Sequence, residues 1–576
     1  MKRLLLATCA FAATLHAQDF QRVAPKQTPQ KTNTPRVPEG ALPAQTHAPA
    51  DVLIPALRGV VLWGSSAEVL PKAPATVSGL QRNDVDVPAL AEFEKLVATQ
   101  LGQPLSLASL NELVRAVIVH YRAHNLPVVD VSVPPQDITS GVLQLVVVES
   151  RVGAVKAEGN HWFRDRLITG PVRLRAGSRI YTDALQSDLD WLNRNAFRQV
   201  EAVFTPGSEQ GTTDVILKTT DHFPLRVYAG YENSGNKLTG KTRWQTGWNW
   251  GNAFGLGQQL SYQFTGDEKF RGVRGHSAVW QIPLPWRHTL TLQGSSVESA
   301  AQFLVNGQRL DQTGQSGQLS ARYAVPLPRL RFAPTLTQEL TLGFDYKQSN
   351  SNLEFGDQNV YAKPTEVAQF SLGYNATLPD SWGGTSLDAT VYWSPGKLVP
   401  KSDDTLYNDA RAGAQADYAY AHIELTRVTK LPREFSLVLK ATAQFANGNL
   451  LASEQLNLGG YDGVRGFEDR FGRGDGGLLF TAELRTPSLS PLAHVGCKRL
   501  KDDLQLLAFY DYGTANVHDP LPDESRNFAI SSAGLGARYS IAEHISVRAD
   551  YGWVIEDDHQ PDAGKGRAHI GVTVTY

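Results

Sequence analysis

Two residues forty-six positions apart carry the most specific chemistry in this chain. Arg465 lies in Gly459-Gly460-Tyr461-Asp462-Gly463-Val464-Arg465-Gly466-Phe467, which runs on to Gly472-Arg473-Gly474-Asp475-Gly476-Gly477. Asp511 lies in Phe509-Tyr510-Asp511-Tyr512-Gly513. A guanidinium is a planar fork, and one carboxylate can accept two parallel hydrogen bonds from it. A Gly-rich connection of roughly 30 residues is too long to be idle. If it folds back into a water-filled interior it needs an anchor, and an inward Asp511 supplies one. Gly466 would let the backbone turn tightly at the tip, and Phe467 would wedge against a wall. The plain alternative is a solvated arginine in an ordinary surface loop.

Other chemistry is scarce. No G-x-x-x-x-G-K-[ST], H-E-x-x-H or G-x-S-x-G motif and no Cys/His metal spacing occurs, and the 14 His are scattered. No enzyme, cofactor or metal site is therefore expected. With 55 Lys+Arg against 57 Asp+Glu, a nucleic-acid partner is not expected either. Val273-Arg274-Gly275 repeats the tripeptide in what reads as a short connection, without flanking glycines, and is given no role. Arg473-Gly474-Asp475 reads as a flexible charged turn, and Glu556-Asp557-Asp558 as a solvated loop.

Several elements must position these residues. Met1-Lys2-Arg3 followed by the apolar stretch from Leu4 has the layout of a secretory signal covering residues 1–17, which would remove Cys9 and leave Cys497 alone. Residues 18–51 are proline-rich and read as a linker or a short plug segment. Residues 52–150 and 151–222 read as two α+β units of related β-α-α-β-β order. In the first, the pattern predicts helices over 88–101, with Pro88 in its first turn, and 107–120. In the second it predicts a helix over 182–195 behind a Thr182/Asp183 cap.

From about residue 223 to Tyr576 the period changes to two. Leu340, Leu342, Phe344 and Tyr346 alternate with Thr341, Gly343, Asp345 and Lys347. Trp244, Trp248, Trp250, Trp286 and Trp393 cluster at strand ends, as in aromatic girdles. Mean hydropathy is −0.27 and no apolar run beyond the N-terminus could span a bilayer as a helix, which leaves a transmembrane β-barrel open. The pattern predicts about sixteen antiparallel strands, an even number as single-chain bacterial barrels require. Long connections are expected near 297–315, 348–365, 395–414, 446–476 and 513–529. Ile570, Val572, Val574 and Tyr576 share one face of the last strand. A soluble sandwich is the competing architecture.

At this point the sequence resembles the TpsB outer-membrane transporters of two-partner secretion, the haemolysin secretion/activation family. The carriers are Val464-Arg465-Gly466-Phe467 and the pattern Phe509-x-Asp511-x-Gly513. Val133-Pro134-Pro135-Gln136 with Gly141 to Leu145 is similar to the end of the family's first POTRA domain. Ser234-Gly235-Asn236 with Thr239-Gly240 is similar to its first barrel hairpin. The resemblance implies two periplasmic POTRA domains and an outer-membrane barrel, with Arg465 and Asp511 holding the loop inside. It also implies a secreted partner exoprotein, large and β-helical, exported unfolded. Contact with outer-membrane lipids and lipopolysaccharide follows, as does a C-terminal signal at Tyr576 for the barrel-assembly machinery. An outer-membrane assembly factor of the same superfamily is the alternative, although such proteins normally carry more POTRA units.

Overall fold

A computed structural model of the chain describes residues 23–28, 35–38, 42 and 51–576, except 236–239, 306–307, 331, 334, 356–357, 363, 498–499, 523 and 558–563; over 301–312 and 351–363 only the backbone is described. The signal stretch and most of the plug segment therefore lie outside the described residues. Two bodies are present, one of residues 29–223 and one of residues 224–576 together with the segment up to Thr28.

The first body contains two α+β units. In the first unit four strands lie in the order Gly79–Asn83, Gly59–Trp63, Val142–Glu149, Val129–Ser132, with Gly59–Trp63 parallel to both neighbours. Helices Leu90–Ala98 and Leu107–Ala123 bring Phe93, Val97, Leu113, Val117 and Tyr121 onto Val60, Leu62, Leu143 and Leu145. Pro88 is not in the first turn: the helix starts at Leu90 behind Ala89, which takes the left-handed conformation. The edge strand Gly79–Asn83 gave no apolar signal because it reads Gly-Leu-Gln-Arg-Asn.

The second unit has a three-stranded sheet, Arg151–Glu158, Thr212–Asp221, Arg198–Pro206, under helices Asp165–Thr169 and Thr182–Leu192. Leu185, Leu189 and Leu192 face its core. The expected Thr182/Asp183 cap is absent, since Tyr181 stands at the N-cap without a side-chain bond. Asn125 of the first unit does that work instead, accepting from the Asp183 amide at 2.9 Å and donating to its carboxylate at 2.7 Å. The proline-rich segment is also tied down in places: Val37 is buried in the second core, and Leu42 packs on the first.

The second body is a closed antiparallel barrel. Its strands are β1 (Leu225–Glu232), β2 (Arg243–Ala253), β3 (Gln258–Gly266), β4 (Val273–Pro283), β5 (Thr289–Val305), β6 (Gln308–Pro326), β7 (Thr337–Phe355) and β8 (Thr365–Asp380). They continue as β9 (Gly383–Pro395), β10 (Asp417–Lys430), β11 (Ser436–Ala446), β12 (Gly476–Arg485), β13 (Asp502–Asn516), β14 (Asn527–Ile541), β15 (Ile545–Glu556) and β16 (Gly566–Thr575). A short strand, Gln358–Ala362, precedes β8 and pairs with the end of β7, so the wall itself has sixteen strands. β1 pairs with β16 from Tyr228↔Thr575 to Glu232↔Gly571 and removes the last free edge.

Which way the faces point decides between sandwich and membrane barrel. Leu342 is 52% exposed on the outside, whereas Thr341 beside it is 5% exposed on the inside. Leu319, Leu372, Val391, Leu425, Leu535 and Ile570 are likewise exposed, while Gln263, Gln293, Asp345, Gln369, Glu483 and Asp511 are buried. An apolar exterior around a polar interior is the arrangement a bilayer requires. Two expected connections are largely strand: β5, β6 and β7 run far beyond the apolar band, through 297–305, 308–315 and 348–355. Outside a bilayer neither face of a strand needs to be apolar, so a stretch such as Thr313-Gly314-Gln315-Ser316-Gly317-Gln318 carries small and polar residues at successive positions and reads as a loop.

Candidate functional site

The connection of residues 447–475 between β11 and β12 turns back into the barrel. The Leu458 and Gly459 amides donate to the Gly472 and Phe471 carbonyls of the returning limb, each at 3.0 Å, and Leu456–Asn457 pairs with Arg473–Gly474, so the segment has its own backbone frame. At its tip Arg465 is 2% exposed. Its Nε donates to Asp511 Oδ2 at 2.8 Å and its Nη2 to Asp511 Oδ1 at 2.8 Å, the two parallel bonds of a bidentate pair. Its Nη1 donates to Glu483 Oε1 at 2.7 Å, and the guanidinium lies 3.5 Å from the Phe509 ring centroid.

Those partners come from β12 and β13, and further charges hold them in turn. Glu483 is paired with Arg485 at 2.5 Å; Asp550 on β15 is paired with Arg538 and Arg548, both at 2.8 Å. Arg548 also donates to Asp462 Oδ1 at 2.8 Å and to the Tyr461 carbonyl at 2.6 Å, and its guanidinium lies over the Tyr461 ring. Arg567 on β16 meets Glu468 at 2.9 Å. Five arginines and five carboxylates thus balance around the tip, which is how charge survives burial.

Backbone proximity explains the glycines. The Gly466 amide donates to Ser532 Oγ at 3.2 Å, and a Cβ on Gly466 would stand 2.9 Å from Ser532 Cβ. A Cβ on Gly552 would stand 2.8 Å from the Arg465 carbonyl carbon. The turn expected at Gly466 is present, closed by the Phe467 amide on the Val464 carbonyl at 3.3 Å, but what excludes a side chain there is the close approach to the wall. Val464 and Phe467 are buried with Leu456, Leu458, Ala515 and Ile530. Gly513 leaves the space that Val464 and Leu479 occupy.

Three features escaped sequence reading. Asp475, expected in a flexible turn, is 1% exposed; it accepts from Arg411 Nη2 at 2.9 Å, the Leu450 amide at 2.8 Å and the His518 amide at 3.0 Å. Val273-Arg274-Gly275 is part of β4, not a short connection, and Gly275 makes room for Val23, whose Cγ1 would lie 2.8 Å from an added Cβ. Residues Val23–Thr28 lie along the inner face of β1–β4. The Val23 carbonyl accepts from Gln263 Nε2 at 3.2 Å, and Lys26 Nζ reaches both Glu232 on β1 and Thr573 on β16, at 2.8 and 2.9 Å, straddling the closing seam. The hairpin residues 236–239 and the acidic residue Asp558 lie outside the described residues.

A loop tip tied inside a closed barrel by a buried Arg–Asp pair, behind N-terminal α+β units, matches a known architecture. The model of the haemolysin secretion/activation protein family ShlB/FhaC/HecB matches residues 211–539. The chain belongs to that family. A second model, the ShlB-type POTRA domain, matches residues 76–150. Among curated relatives, the heme/hemopexin transporter protein HuxB of Haemophilus influenzae is 23% identical over 454 residues, 76% of this chain and 75% of that one. The outer membrane transporter CdiB of Escherichia coli is 25% identical over 461 residues, 79% of this chain and 75% of that one. Among solved structures, CdiB from Escherichia coli superposes with a TM-score of 0.70 at 20% identity, covering 94% of each chain, and CdiB from Acinetobacter baumannii with 0.59 at 17%, covering 97% of this chain and 96% of that one. The protein is an outer-membrane β-barrel of the two-partner secretion class, with its N-terminal POTRA region in the periplasm. β1 follows that region directly, so the end where β1 begins and β16 ends is periplasmic, and the connection 447–475 starts from the outer face.

Proposed function

We propose that the protein exports a partner exoprotein through its barrel, unfolded, after capturing it in the periplasm. The carrying observation is the bidentate Arg465–Asp511 pair, which keeps a long loop across the interior of a closed barrel. Such a barrel is a conduit with a built-in obstruction. Membership of a secretion family supports a polypeptide cargo. In this reading residues 52–150 and 151–222 are two POTRA domains. Their edge strands Val129–Ser132 and Arg198–Pro206, or the grooves beside helices Leu107–Ala123 and Thr182–Leu192, take an extended client segment, with main-chain bonds giving affinity at little sequence cost. Residues 1–17 direct export, 223–576 form the barrel, and the exposed Tyr576 is read by the barrel-assembly machinery. The outer aromatic and apolar band meets lipid and lipopolysaccharide. Folding of the client outside supplies the driving force.

The test is secretion of a large repeat protein encoded beside this gene, from cells carrying the wild type, Arg465→Ala or Asp511→Ala. Export by the wild type, with both variants inserted but export-deficient, is the expected result. Normal export by both variants removes the roles of Arg465 and Asp511. Loss of other barrels on deletion, with no partner outside, would instead establish an assembly factor.

A further inference from the structure

The lumen loop touches the wall a second time. Glu454, in the limb that descends to the tip, is 0% exposed. Its Oε1 accepts from Lys347 Nζ on β7 at 2.6 Å and from Ser453 Oγ at 2.9 Å; its Oε2 accepts from Tyr420 on β10 at 2.8 Å and Gln369 on β8 at 3.1 Å. Gln444 on β11 donates to its backbone carbonyl at 2.9 Å. The socket is itself braced: Gln369 accepts from Tyr418 at 2.8 Å and donates to Asp345 at 3.3 Å, and Asp345 is held by Arg322 at 2.6 Å.

This socket and the Arg465 site use different arcs of the wall. Glu454 is held by β7, β8, β10 and β11, whereas Arg465 and its supports use β12 to β15. In a circle of sixteen strands, β7 and β13 are six apart. The loop is therefore a beam fastened at both ends across the lumen.

The two fastenings differ in chemistry. At the tip Arg465 of the loop binds the wall while Arg548 and Arg567 of the wall bind the loop, and two of these three are stacked on aromatic rings. At Glu454 the cation is one lysine, a compact and strongly hydrated point charge on a flexible stem, helped by neutral hydroxyls and amides. When water enters, the lysine end gives up its partner more readily than a stacked, bidentate arginine.

We propose that Glu454 is a releasable latch: the conducting path opens between the loop and the β7–β11 wall by withdrawal of Glu454 from Lys347, while Arg465 stays on β13. This rests on the reading of the barrel as an export conduit and names the contact that regulates it. Glu454 and Lys347 are positioning residues for the loop.

Ion conductance of the purified full chain in planar bilayers tests this without any partner protein, so its outcome is separate from that of the secretion assay. Glu454→Gln and Lys347→Met are each expected to raise the time-averaged conductance several-fold over wild type. Tyr420→Phe, which removes one neutral donor, is expected to give a smaller rise. The exchanged pair Lys347→Glu/Glu454→Lys is expected to return the conductance toward wild type, a rescue that generic loosening of the barrel would not show. Variants are compared only as barrels that resist unfolding in unheated gels. Folded Glu454→Gln and Lys347→Met barrels that conduct like wild type would overturn the proposal. So would an exchanged pair as leaky as the single variants. If neither single variant folds, an unchanged conductance for folded Tyr420→Phe overturns it.

Discussion

At the scale of single residues, Arg465 shows why charge alone does not describe the site. The side chain makes two bonds to one carboxylate, a third to Glu483 and a stacking contact with Phe509. Lysine would keep the charge and lose the fork and the stack. Arg465→Lys is therefore expected to behave almost as badly as Arg465→Ala, because hydrogen bonds to charged groups are worth about 1.5–3 kcal/mol each and two of them go unmade. Asp511→Asn leaves the guanidinium buried against a neutral amide, and breaking one side of a buried pair costs about 3–5 kcal/mol. The measurement is the temperature at which each folded barrel converts to the unfolded band on a gel; wild-type values for both variants would contradict the argument. Arg465 and Asp511 were legible because their neighbours are unusual. Glu483, Asp550 and Arg548 were not, since a charge at every second position is what any inward strand face shows; only the pairing of β12 to β15 brings them together.

At the scale of elements, the outer mouth is closed by segments that sequence reading treated as separate loops. Helix Asp404–Ala410 is followed by Arg411, which binds Asp475 at the end of the lumen loop; Asp475 also takes the amide of His518 in the next outer connection. Asn449 adds bonds to Ala412 and Asp519 carbonyls, both at 2.9 Å. Tyr407, Ala414, Leu450 and Leu451 pack with Tyr418 and Tyr420 beneath this knot. One aspartate thus ties three connections. Asp475→Asn or Arg411→Ala is expected to speed protease cleavage within 396–416 or 447–475 on intact cells several-fold, with the transmembrane strands still intact. Unchanged cleavage in both variants would show that the apolar cluster alone holds the mouth. The same residues explain a limit of sequence reading. Arg-Gly-Asp among glycines has the composition of a flexible turn, and nothing local announces that Arg411, sixty-four positions earlier, fixes it. The β5–β7 extensions were missed for the complementary reason: strand there is set by pairing, as in Ser299↔Gly314, with no apolar face to mark it.

At the scale of the whole molecule, one inversion governs everything else, and it can be tested by reversing the usual rule for surface substitutions. In a water-soluble protein an exposed leucine tolerates lysine, and a buried polar residue does not tolerate an added charge. Leu342 on β7 is exposed, paired with Leu372 on β8, which pairs with Val391 on β9. One step toward the periplasmic end of β8 lies Tyr374; one step outward Phe370 pairs with Trp393. On β7 the outward run Leu340, Leu342, Phe344 and Tyr346 lies between Gln338 and Gln348, which sets Leu342 well inside the apolar band. Leu342→Lys then puts an ammonium in hydrocarbon, at a cost of about 2–4 kcal/mol at the midplane. Gln293 on β5 is buried on the lumen side, paired with Ser320 and one step from Thr291, so Gln293→Lys places the same charge on the polar face. Leu342→Lys is expected to lower the amount of folded barrel recovered from outer membranes several-fold, and Gln293→Lys to leave it close to wild type. The alternation that made β7 recognisable as a strand could not by itself say which face was which. A lysine tolerated at 342 and rejected at 293 would mean that the apolar face of this wall is not against lipid, and the placement of the loop inside a lumen would fall with it.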